Sequence, residues 1–143
     1  MKKRNLYLTG VLLFATLDAI WFGLIMGGFY KAELGPVLRL SEGRLDPVYW
    51  AVVLVYLLLP LGPLFLILPQ TINNSAIRPF GLGAIYGLIV YGVYGATNHA
   101  VLNHWPVDVL IADATWGFFS CAAITAVLHI LRERRGRDRS IFT

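Results

Sequence analysis

Charged side chains are scarce in this chain: Asp, Glu, Lys and Arg make up 14% of its 143 residues, where a soluble domain carries about a quarter. A chain so poor in charge and 57% hydrophobic, with a mean hydropathy of +0.66, is not built to present a hydrated surface. Cysteine is scarcer still. The single one, Cys121, permits no intrachain disulfide and leaves the redox compartment open. Three histidines form no cluster, and His99, His104 and Asp108 match no standard metal-ligand spacing, so no metal and no cofactor are expected. A glycine-rich nucleotide loop, a nucleophile motif, a long repeat and a low-complexity segment are all missing.

What the chain has instead is length of apolar sequence. Residues 6–28, 48–68, 80–101 and 107–131 form four runs, each long enough as a helix to cross a hydrocarbon layer of roughly 30 Å. They lack the polar stripe of a soluble bundle. The expected fold is all-α: a single integral membrane four-helix bundle followed by a basic tail, 132–143. Met1-Lys2-Lys3-Arg4 before the first run could open a signal peptide. That run is too long, carries Asp18 and lacks a small-x-small cleavage site.

Charge placement sets the orientation. Lys2, Lys3, Arg4, Arg78, Arg132, Arg134, Arg135, Arg137 and Arg139 fall on one side, against Lys31, Arg39 and Arg44 on the other. The excess follows the positive-inside rule, so both termini are expected in the cytoplasm and the chain in a bacterial inner membrane. The formal charge of +4 then calls for no nucleic acid; a basic tail beside a membrane helix meets lipid headgroups.

In the first span, Gly23 and Gly27 stand at small-xxx-small spacing and Phe29-Tyr30 suit the interface. Residues 31–47 mix Leu and Val with Glu and Arg, as a short interfacial helix would. The second span contains Pro60 and Pro63, which free backbone carbonyls and should kink it. The third is glycine-rich, and its Gly83-to-Gly87 pair marks a face for close helix contact, inside the bundle or with a partner subunit. The tail is expected to be exposed and mobile.

The informative residues are the polar ones inside the spans. Asp18-Ala19-Ile20-Trp21 in the first is echoed by Asp113-Ala114-Thr115-Trp116 in the last. Counting rise per residue from the span ends puts Asp18 roughly 18 Å above one edge and Asp113 roughly 9 Å below the other. Tyr94 and Tyr56 come out at a similar height, in the external half. An intramembrane aspartate costs about 2.5–3.5 kcal/mol, so each should face the bundle interior and hold either hydrogen-bond partners or a proton. Tyr91, Tyr94, Thr97, Asn98 and Thr115 are the donors at hand, and Trp21 and Trp116 stand one turn from each acid as candidate walls. The candidate ligand-binding residues are therefore Asp18, Trp21, Tyr56, Tyr91, Tyr94, Thr97, Asn98, Asp113 and Trp116.

Asp18-x-x-Trp21, Phe29-Tyr30, Gly35, the Tyr91-to-Asn98 block, Trp105-Pro106 and Asp113-x-x-Trp116-Gly117 together resemble a family of small bacterial inner-membrane proteins, domain of unknown function twenty-one seventy-seven. The resemblance spans Leu6 to Leu131 and implies four helices in a bacterial membrane, with no reaction assigned. Where that family typically shows Tyr-Asp-Leu-Thr-Asn, this chain reads Tyr94-Gly95-Ala96-Thr97-Asn98. An activity that used that acid would be lost or altered here.

These features point to a polytopic inner-membrane protein that binds or transports a small amphiphilic or apolar molecule in a polar pocket of the external half. Two other classes stay open: a membrane-embedded enzyme or enzyme subunit in lipid modification, and a structural subunit held in a membrane complex by its glycine faces.

Overall fold

The computed structural model describes residues 3–35 and 37–140, with side chains through Arg134. Four helical segments are long and apolar enough to cross a membrane: Lys3–Ile25, Tyr49–Thr71, Ile77–Val101 and Val107–Arg134. With no water to satisfy peptide groups in hydrocarbon, helix is the form these runs must take. Even in number, the spans leave both termini at one end of the bundle.

The first span is α1 (Lys3–Ile20) continued by a π-helical turn, Trp21–Ile25, closed by Met26 N donating to Trp21 O at 2.7 Å. A short helix, α2 (Gly27–Leu34), follows. Beyond it the chain departs from the interfacial helix expected over 31–47: β1 (Leu40–Ser41) pairs antiparallel with β2 (Arg44–Leu45). Glu42 and Gly43 take φ of 50° and 74° between them, and positive φ at both central residues is what a tight two-residue hairpin demands. A glycine there favours the hairpin over a helix carried through to Pro47.

The second span breaks where its prolines stand. Helix α3 (Tyr49–Leu58) stops short of Pro60, and the chain continues as a π-helical segment, Gly62–Ile67, and a 3₁₀ turn, Leu68–Thr71. Pro63 has no N–H for the carbonyl of Leu59 four residues back. The hydroxyl of Tyr86, on α4 (Ile77–Val101), donates to that carbonyl at 3.1 Å instead. Gly62 makes room for it, since a Cβ at that position would lie 2.3 Å from the Tyr86 ring.

Helix α4 packs most extensively on α5 (Val107–Ser140). A Cβ on Gly87 would come within 1.8 Å of the Gly117 carbonyl oxygen, and one on Gly83 within 2.7 Å of the Cys121 carbonyl. Gly83 and Gly87 thus pack against α5 of the same chain. Leu6, Phe14, Leu59, Leu68, Cys121, Ile124 and Leu128 form the main buried cluster beside this seam.

At the termini end, His129 Nε2 bonds the Asn74 carbonyl at 2.9 Å, and Arg132 reaches the Leu68 carbonyl, the His129 ring and Glu133. The first holds the 70–76 link against α5, and the bond to Leu68 ties the start of the 3₁₀ turn to it. The tail, expected to be mobile, continues α5 as helix through Ser140; residues 141–143 lie outside the described ones.

The first two spans meet at a waist. A Cβ on Gly10 would stand 3.0 Å from the Pro60 Cβ. Tyr7 donates its hydroxyl to the Leu57 carbonyl at 2.8 Å nearby. On either side of this contact the spans part. No residue of α3 is fully buried, and Tyr56 is its residue packed against the main cluster.

Candidate functional site

Above the waist the two Asp-x-x-Trp motifs come together. Trp116 Nε1, on α5, donates to Asp18 Oδ1 on α1 at 2.7 Å. The Trp21 and Trp116 rings stack with centroids 4.4 Å apart and planes 5° from parallel. Asp113 accepts from the hydroxyl of Tyr30, which in turn lies 3.5 Å from Trp21 Nε1. The pattern is reciprocal. Each motif's indole turns toward the other motif's carboxylate, directly in one case and through a phenol in the other. The sequence echo is therefore a spatial pairing of the first and last spans.

Local backbone structure makes this possible. In an unbroken helix, Trp21 and Tyr30 would lie about 13.5 Å apart along the axis and about 180° apart around it. The π turn after Asp18 and the break at Met26, with φ −106° and ψ 2°, let α2 bring Tyr30 back beside Trp21. Irregular turns of this kind often mark functional positions in helices. Burial first, and then the bond to Asp113, hold the Tyr30 phenol above its ordinary pKa, so its hydroxyl is the donor and the carboxylate the acceptor.

Both carboxylates line a single cavity of about 860 Å³. Tyr30, Tyr56, Tyr91 and Tyr94 join them, and Tyr56 faces Asp18 from the second span. The rest of the wall is mostly apolar: Val52, Val55 and Leu59 from the second span, Val90 from α4, and Phe22 and Leu34 from the first span and α2. Gly23 and Gly28 also face it, and a Cβ on either would meet nothing within 4 Å. They serve space, not helix contact. Exposed Lys31 and Arg44 stand at the hairpin-end rim. The size suits a small-molecule site.

Of the candidate residues, Asp18, Tyr56, Tyr91, Tyr94 and Asp113 border the cavity. Trp21 and Trp116 do not. Their faces cover each other, and they position the carboxylates from behind. Thr97 is exposed and Asn98 lies near Tyr94 but off the cavity wall. Tyr94 packs edge-on against Trp105 at 5.7 Å, and Trp105 itself borders the cavity. Gly95 is buried in the α4–α5 seam, where a Cβ would stand 3.2 Å from Leu110 Cγ. Gly95 itself does not border the cavity. Tyr30 is the site residue that the sequence presents only as an interfacial aromatic; the helix-breaking Gly27-Gly28 pair before it was the available signal. Among the described residues, no group of three His, Cys, Asp or Glu side chains could hold a metal ion.

No curated protein and no solved structure matches this chain. A family described as "Predicted membrane protein (DUF2177)" matches residues 4–130, almost the whole of the four spans. The chain belongs to this family of membrane proteins, whose function is unknown.

Proposed function

We propose that this protein binds a small amphiphilic molecule in the cavity above the Gly10–Pro60 waist, its apolar body among Val52, Val55 and Leu59 and its polar end at Asp18 and Asp113. The setting of this reading is a bacterial inner membrane with both termini in the cytoplasm, which the excess of basic residues at that end favours. The observation that carries it is one cavity joining two buried carboxylates to an otherwise mostly apolar wall of aliphatic and aromatic side chains.

The chemistry of the polar end follows from what is already paired. Asp18 is bonded to Trp116 and Asp113 to Tyr30, and each carboxylate offers further acceptor sites. A ligand carrying a hydroxyl or an amine satisfies them; a bare hydrocarbon does not. The test is thermal stabilisation of the detergent-solubilised protein by amphiphiles of equal chain length ending in a hydroxyl, an amine or a methyl group. Stabilisation by the first two, lost in Asp18→Leu and Asp113→Leu, is expected. Equal effects of all three probes would refute a role for the carboxylates.

A further inference from the structure

Below the waist the first two spans part again, and the space between them is lined by basic side chains and by no carboxylate. This second cavity, about 590 Å³, is bordered by Lys3, Arg4 and Arg132 at the termini end and by Leu61, Leu64 and Phe65 along its length. Its upper limit is the bond from Tyr7 to the Leu57 carbonyl. The irregular backbone of Gly62–Ile67 and Leu68–Thr71 supplies much of one wall. The same prolines that break the second span therefore shape this cleft.

Among the described residues the one ion pair is Arg132 with Glu133, at 3.0 Å. Lys3 and Arg4 are exposed and have no carboxylate partner there, so the cleft keeps a net positive rim. Arg132 also bonds the Leu68 carbonyl, which fixes its guanidinium at the base of the cleft. A cationic rim at a membrane edge above an apolar slot running toward the bilayer centre matches one chemistry: a phosphate with hydrocarbon chains beneath it.

We infer that this cleft is a binding site for an anionic phospholipid, its phosphate held by Lys3 and Arg4 beside Arg132 and one acyl chain lying along Leu61, Leu64 and Phe65. This is independent of the carboxylate cavity, from which the Gly10–Pro60 contact separates it. The two sites take molecules of different polarity at opposite ends of the bundle.

Native mass spectrometry of the detergent-solubilised full chain, titrated with dioleoyl phosphatidylglycerol or dioleoyl phosphatidylcholine, tests it. The first lipid is expected to bind about thirtyfold more tightly, as two surface cations would provide. Lys3→Gln with Arg4→Gln should bring the two lipids to parity, while Lys31→Gln with Arg44→Gln, at the other end, should leave the preference intact. Leu61→Trp, which fills the slot, should weaken both lipids. Soluble glycerol phosphate should not displace the bound lipid. The inference is overturned if wild type shows no preference, if the preference survives loss of Lys3 and Arg4, or if glycerol phosphate displaces the lipid.

Discussion

Trp116 Nε1 donates to Asp18 Oδ1 at 2.7 Å, joining residues 98 positions apart in the last and first spans. Asp18 is buried and Trp116 partly so, and a hydrogen bond to a charged partner is worth about 1.5–3 kcal/mol. Trp116→Phe should therefore lower stability by about that amount while keeping the ring stack. In a double-mutant cycle with Asp18→Leu, which has no acceptor, measured by thermal unfolding in mild detergent, the two losses should be less than additive. Strict additivity would mean that the bond carries no coupling.

Tyr30 links the other half of the clasp. Tyr30→Phe removes the donor to Asp113 and the contact with Trp21 while keeping the ring's packing on Phe22 and Phe29. The indole exciton signal in circular dichroism, which the parallel Trp21–Trp116 stack should produce, is expected to weaken as Trp21 loses its tether. The phenol should also titrate above the ordinary tyrosine value of about 10. Because the folded state favours the neutral form, the stability it supplies is full below about pH 10 and is lost as pH rises through the elevated value. The ultraviolet difference between wild type and Tyr30→Phe across alkaline pH reads this directly.

The α4–α5 seam has no spare volume. Gly87→Ala places a methyl group 1.8 Å from the Gly117 carbonyl, so the helices must separate. A loss of about 1–3 kcal/mol is expected, as for overpacking elsewhere. Gly81 has nothing within 4 Å of its Cβ position. Gly81→Ala should be neutral or stabilising, since alanine is the better helix former. Equal destabilisation by the two changes would contradict the seam.

Tyr86 and Pro63 form a second coupled pair. Tyr86→Phe strips the Leu59 carbonyl of its donor, at about 1–3 kcal/mol for a buried group. Pro63→Ala restores a backbone N–H four residues on, so the same Tyr86→Phe change should be milder in that background. An undiminished loss would show that Tyr86 matters through packing over Gly62 instead.

The spans and the meeting of Asp18, Asp113, Tyr56, Tyr91 and Tyr94 at one cavity were legible from counting along a regular helix, and the proline break from the missing N–H. Tyr30 was not, because its approach to Trp21 depends on a π turn, and helical counting places the two on opposite faces. The tryptophan stack was equally hidden: one turn from each acid is a statement about a single helix, whereas covering each other's faces is a property of two. The hairpin over 40–45 carried a local signal in Glu42-Gly43, outweighed by a mix of apolar and charged residues that also suits an interfacial helix.

Ligand binding in the carboxylate cavity is tested most directly by Gly23→Leu, since the new side chain enters open space within the cavity wall. Native mass spectrometry of the purified wild type and of this variant, at matched folded yield, should show one amphiphile of hydroxyl or amine type per wild-type chain and none on the variant. Identical adducts on both proteins, or no retained molecule on the wild type, would contradict it.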